Sequence, residues 1–249
     1  MTDLKQRNSV LTLRLAGPLQ SWGAASRFVR RTTERAPTKS GVVGLLAAAQ
    51  GRARTADISD LSALTFAVRM DQPGTRVRDF QTAHHGDTRK SMPVSERFYL
   101  SDAVFVAAVE GDEELIDSLY TAVRAPTYLP FLGRRSCPPS GPIDLGVRRG
   151  GLLRALRNEP WQASAWFQRR RAHERKVELE VIADLPASGG PGDALRDQPL
   201  SFDPRHRRYG TRTIWSTSVT VANPLSASRR KFVPPKHEPM GPLGDRPCS

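Results

Sequence analysis

Cysteine is scarce in this chain. Two occur in 249 residues, Cys137 and Cys248, and no Cys/His cluster stands at metal-ligand spacing. Neither a disulfide scaffold nor a zinc module is expected, and no metal or other cofactor is called for. Long apolar runs are missing too. No stretch of 18 apolar residues would span a membrane, and Met1 to Ser9 lacks the apolar segment of an export signal. Together these absences point to the cytoplasm and to no membrane partner. Acidic residues are outnumbered, 25 against 38 Lys plus Arg, which leaves a net charge of +13. A field of that sign favours nucleic acid or an anionic surface. Arginine predominates over lysine, and its planar fork pairs with phosphates and stacks on bases. The sequence carries no Walker motif, no G-x-S-x-G, no H-E-x-x-H and no usefully spaced carboxylate pair. Hydrophobic residues make up 38%, and Gly and Pro number 19 and 20. A modest core with long irregular connections is the expectation.

The stretch Leu11–Gly51 carries the most information. Leu11, Leu13 and Leu15 alternate with Thr12 and Arg14, the signature of a strand with one buried face. Gly17-Pro18 stops it. A polar connection follows with Ser21-Trp22-Gly23 and Arg27, Arg30, Arg31 and Arg35. Thr38 or Ser40 can cap the next helix, where Val42, Leu45, Leu46 and Ala49 recur at helical spacing up to Gly51. The helix start, Thr38-Lys39-Ser40-Gly41, reads as an anion site, because free N–H groups and Lys39 together favour a phosphate. Trp22 offers a flat face for a base. The alternative is a plain strand-to-helix connection with a solvated basic loop and Trp22 in the core.

Further on, Leu64, Phe66, Val68 and Met70 alternate as a second strand. Asp71 to Glu96 is a long polar connection with a turn-like tip at His84-His85-Gly86-Asp87. It reads as a protruding hairpin carrying Arg76, Arg78, Arg89 and Lys90, or else as an unstructured insertion. Ala103–Val109 is a buried strand. A helix spans Asp112–Arg124 with acids in its first turn, and Ile143–Val147 is a short strand. The order is β-α-β-β-α-β, the ferredoxin-like pattern of an α+β domain. Between the last helix and strand lies APTYLPFLGRRSCPPSGP. There Gly133 permits a sharp turn, Arg134-Arg135-Ser136 offers two forks and a hydroxyl, and Tyr128 and Phe131 interleave aromatics. This combination suits an RNA groove; a surface turn with solvated arginines is the bland alternative. Past Gly150 a short helix (Leu152–Arg157), a basic segment (Trp161–Lys176), a strand (Val177–Ile182) and a final edge strand (Ile214–Ala222) are expected. Arg205–Arg212 is basic around His206 and Tyr209. Residues 223–249 read as a proline-rich, disordered tail.

Two blocks, LRLAGPLQSWG with APTKSGVVGLLAAAQG and, about 80 residues later, YLPFLGRRSCP, resemble the CasD family of the type I-E CRISPR Cascade complex, in the repeat-associated mysterious protein (RAMP) superfamily. The similarity runs from about Val10 to about Pro224. The resemblance implies a ferredoxin-like, RRM-like domain over 1–150 with a thumb hairpin at about 71–97, followed by a smaller, mostly β region over 151–222. It implies a non-catalytic subunit that grips the 5′ handle of the CRISPR RNA and caps the backbone filament. Its neighbours would be the backbone subunit CasC and the large subunit CasA. Target DNA would be met only indirectly, through guide pairing. The candidate grips are Ser21, Trp22, Gly23, Arg27, Lys39, Ser40, Gly133, Arg134, Arg135 and Ser136, with Arg78, Arg89 and Lys90 holding phosphates from the thumb. Some superfamily relatives cut repeat RNA without a metal. His84, His85, Lys90 and Tyr99 are the groups that could support that second reading, a metal-independent endoribonuclease.

Overall fold

The computed structural model describes residues 8–23, 30–186 and 189–227; Arg27 and the tail beyond 227 lie outside them. Eleven strands and five helices follow in chain order: β1 (Asn8–Ala16), β2 (Leu19–Gln20), β3 (Arg30–Arg31), α1 (Lys39–Ala49), α2 (Ser59–Ala63), β4 (Thr65–Gln72), β5 (Thr75–Gln81), β6 (Ser95–Ser101), β7 (Val104–Asp112), α3 (Glu113–Arg124), β8 (Asp144–Arg148), α4 (Leu152–Asn158), α5 (Ala165–Arg170), β9 (Lys176–Asp184), β10 (Asp193–Ser201) and β11 (Arg208–Ala222). The architecture is mixed α/β around one large antiparallel sheet. No helix among the described residues is long and apolar enough to cross a membrane.

That sheet has seven strands in the order β10-β11-β9-β4-β7-β1-β8. Both faces are buried, and the period-2 geometry of a strand divides the work. Leu11, Leu13, Leu15, Phe66, Val68, Phe105, Ala107 and Val109 point to the face covered by α1 and α3. Val10, Ala67, Val106 and Ala108 point to the other, where α4, Trp161 and the apolar residues of β9 and β11 pack. Strand β7 is buried on both sides along Val104–Val109, which is why its sequence is apolar without alternation. Helix α3 starts at the Asp112 cap, whose carboxylate accepts from Glu114 N at 3.0 Å, and buries Ile116, Leu119 and Val123.

One expectation needs correction. Ile214–Ala222 is not at an edge: β11 runs from Arg208 and lies between β9 and β10. The edge strand is β10, whose sequence, DALRDQPLS, alternates poorly and holds few strong β-formers. Its pairing with β11 and the ion pairs of Asp197 hold it in place, and at an edge Pro199 withholds no needed N–H. The region after Gly150 therefore continues the first part's sheet through the β9–β4 register, Ala67 opposite Ala183.

A second, four-stranded sheet has β6 at its centre, paired with β2, β3 and β5. Strands β5 and β6 form an antiparallel hairpin from Thr75–Ser101 to Gln81–Ser95. An isolated bridge, His84 to Ser91, extends the pairing toward the tip.

Candidate nucleic-acid interface

The segment after β1 is anchored at every step. The Gln20 amide donates to Leu15 O (3.1 Å) and Ala103 O (2.8 Å), and its oxygen accepts from Trp22 Nε1 at 3.0 Å. Ser21 N donates to Leu132 O at 3.1 Å, and Ser21 Oγ to Phe98 O at 3.1 Å. The 131–138 turn is thereby docked onto residues 20–22. Gly133 sits at φ +87°, and a Cβ there would fall 1.7 Å from Ser21 O, so both conformation and space demand glycine. The turn closes through Leu132 N to Cys137 O at 2.7 Å and Cys137 N to Arg134 O at 2.9 Å.

Arg134 and Arg135, adjacent in sequence, differ in role. Arg134 lies over the Tyr99 ring at 4.7 Å and donates from Nη2 to Arg31 O at 2.8 Å. Its Nη1 is buried with no hydrogen-bond partner among the described residues. Arg135 is exposed and, among the described residues, unpaired. Ser136 is exposed, with its hydroxyl 3.9 Å from Cys137 Sγ.

The expected anion site at the start of α1 is already filled from within the chain. Thr38 caps the helix by accepting from Gly41 N at 3.2 Å. The Lys39 amide donates to Asp197 Oδ2 at 2.7 Å. The Lys39 ammonium is 5% exposed and pairs with Asp184 at 3.2 Å. Burial lowers the Lys39 pKa from its ordinary value, and the Asp184 charge opposes that shift. Arg212 completes the cluster, forking Asp197 at 2.6 and 2.9 Å and pairing also with Asp184. Two cations and two anions thus neutralise one another, and Lys39 does not face solvent. Ser40 is buried. Trp22 is fully buried with its ring against Gly41, where a Cβ would stand 2.8 Å from it. Of the two readings of Trp22, the core one holds.

These segments converge on one groove of about 990 Å³. Ser21, Trp22, Gly23, Ser40, Gly133, Arg134 and Arg135, drawn from three separate stretches of sequence, line it. Its rim adds Arg31 and the exposed Tyr128 and Leu129, the latter 84% exposed. Arg52, Arg54, Phe202, Arg207 and Tyr209 line it as well. The basic run around Tyr209 was visible in the sequence, but nothing there placed it in one groove with Arg135; Arg54 and Phe202 gave no signal at all. Arg78, Arg89 and Lys90 do not line the groove. They are exposed on the β5–β6 hairpin, where Arg78 lies over Phe80 at 4.8 Å and Arg89 has φ +52°.

The family model for CRISPR-associated protein (Cas_Cas5) matches residues 10–214. The chain belongs to the CRISPR-associated Cas5 family. The CRISPR system Cascade subunit CasD of Escherichia coli (strain K12) is 40% identical over 160 residues, covering 56% of this chain and 71% of that one. A solved structure described as a CRISPR RNA-guided surveillance complex contains a chain of TM-score 0.72 and 34% identity, matching 89% of this Cas5 chain and 95% of its own. A crystal structure of a Cas protein matches with TM-score 0.66 and 36% identity, over 84% and 94% of the two chains.

Proposed function

We propose that this Cas5 chain is a non-catalytic, guide-RNA-binding subunit of a Cascade-type surveillance complex, gripping the 5′ handle of the CRISPR RNA. The observation that carries this reading is the groove itself. It unites the 20–23 strap, the start of α1 and the 131–138 turn, and arginines, the exposed Tyr128 and the half-buried Phe131, Phe202 and Tyr209 border it. Single-stranded RNA is held in this way, with phosphates on guanidinium groups and bases on π-faces. The buried, unpaired Arg134 Nη1 adds support, since such a donor marks a place where an acceptor belongs. By likeness to the CasD relative, the chain would sit among Cascade subunits, with CasC and CasA as neighbours and target DNA met through the guide.

The strand order β4-β7-β1-β8 with α1 and α3 on one face supports reading residues 8–150 as a ferredoxin-like core. Residues 151–222 extend its sheet. The β5–β6 hairpin, with Arg78, Arg89 and Lys90 exposed, is read as the thumb. The alternative of RNA cleavage finds little support in the geometry. His84 and His85 stand at the hairpin tip, while Tyr99 pairs with Val77 near its base, roughly 20 Å away at strand rise. Tyr99 is moreover covered by Arg134.

Arg135→Ala is the cleanest test, because Arg135 holds nothing else in place. Affinity for handle RNA should fall about tenfold, the loss expected for a charge-assisted contact, with assembly intact. Wild-type affinity in that variant would remove Arg135 from the site.

A further inference from the structure

The groove has a second wall, drawn mostly from the half of the chain that follows Gly150, and the guide-binding candidates so far found to line the groove all lie outside it. This wall is the connection from β10 to β11, residues 202–207, with Tyr209 at the start of β11 and the turn after α1. Several contacts fix it. Ser62 Oγ donates to Pro199 O at 2.6 Å, and Gln198 Nε2 donates to Ser62 O at 2.7 Å, which ties β10 to α2. The Lys39–Asp184–Arg212–Asp197 cluster ties β9, β10 and β11 to the start of α1. Phe202 then reaches over α1, its ring 3.6 Å from where a Gly44 Cβ would stand. The connection itself is ordered by a turn in which Arg205 N donates to Asp203 Oδ1 at 2.8 Å. The carboxylate of Asp197 that fills the helix N-terminus thus also holds β10, and the connection that follows it, to α1.

The wall carries unspent binding groups. Arg54 and Arg207 are exposed, and among the described residues neither guanidinium is engaged in an ion pair, hydrogen bond or ring contact. Tyr209 is half-buried, and its side chain is likewise free of such partners among the described residues, while its backbone pairs in register with Pro199 and its carbonyl accepts from Arg196. Between the walls the floor is apolar and small-sided: Gly44, Ala47 and Ala48 of α1. An apolar, small-sided surface, an aromatic and two free guanidiniums lining one groove fit one unstacked base with its flanking phosphates. The volume, near the upper end of the roughly 300–1,000 Å³ usual for a ligand cleft, leaves room for both walls to touch RNA at once.

We infer that Arg54, Arg207 and Tyr209 form a second RNA-contacting wall, which takes a base of the single-stranded guide on the floor of α1 and its phosphates on the two arginines. The inference rests on the groove being the guide site. The test uses the ribonucleoprotein assembled from the full-length chain, its partner subunits and guide RNA. Ultraviolet crosslinking with peptide mapping should place an RNA adduct on Tyr209 or its immediate neighbours. Handle-RNA binding by the full-length chain, read by fluorescence anisotropy, should weaken about tenfold in Tyr209→Ala and stay near wild type in Tyr209→Phe, which keeps the ring. Arg54→Ala/Arg207→Ala should reduce the salt slope by about 1 to 2 without changing the melting temperature. Adducts confined to residues 128–136 and the β5–β6 hairpin, with wild-type binding in these variants, would overturn the second wall and leave the groove as the guide site. Adducts in neither wall would overturn both readings.

Discussion

At the scale of single residues, burial separates groups that look alike in sequence. Trp22 and Arg135 are both expected RNA contacts, yet the Trp22 indole is sealed beneath α1 and bonded to Gln20, while Arg135 is exposed and, among the described residues, unpaired. Trp22→Ala should destabilise the fold by about 3–5 kcal/mol, the range for emptying a large aromatic site. Urea denaturation would show this, and a drop in RNA affinity without a drop in stability would contradict the core assignment. Gly133→Ala combines a φ of +87° with a collision against the Ser21 carbonyl, which is backbone and cannot turn aside. A loss of about 1–3 kcal/mol is expected. Gly86→Ala, with nothing within 4 Å of the added methyl, should change stability by less than about 0.5 kcal/mol.

Between elements, the ionic cluster that joins α1 to β9, β10 and β11 makes its own prediction. Burial holds the Lys39 pKa below 10.5 in the folded protein, against the pull of Asp184. The unfolded chain then binds this proton more tightly than the fold does. The Lys39 contribution to stability therefore rises as pH climbs through its folded pKa toward 10.5. Wild type should gain on Lys39→Met over that alkaline window in urea titrations. A pH-independent difference between the two would show that the ammonium titrates as it does in water. The β5–β6 hairpin gives a second test at this scale. Residues 83–94 are exposed throughout, and Met92 N already donates to Ala83 O at 2.7 Å. Replacing 84–91 by Asn-Gly closes the strands with a favoured two-residue turn. Stability should stay within about 0.5 kcal/mol, while guide retention by the complex falls if Arg89 and Lys90 hold phosphates. Much of this scale was legible in the sequence. The leucine alternation of β1, the Thr38 cap, the acidic start of α3 and the apolar run of β7 all follow from local periodicity and capping. Strand β10 was not legible, because its pairing partner and its ion pairs, not its own composition, make it a strand.

For the whole molecule, the net charge of +13 becomes useful only where unpaired cations gather. Arg35, Arg52, Arg149 and Arg171 are engaged with carboxylates. Arg31, Arg54, Arg135 and Arg207 border the groove without such partners among the described residues. If each neutralises one phosphate, the logarithm of RNA affinity should fall with the logarithm of salt with a slope of about −3, from the −0.7 per phosphate of single strands. A slope near zero would show that the groove's charge does not meet the RNA backbone. What the sequence settled by itself was local: periodic strands and helices, turn glycines, an excess of arginine and two family-bearing blocks, all of them set within a few residues of one another. Tertiary structure alone decided which of those cations stay free. An arginine or lysine is available to a phosphate only if no carboxylate reaches it first, and Asp184 and Asp197, more than a hundred residues from Lys39, are brought to it by the sheet.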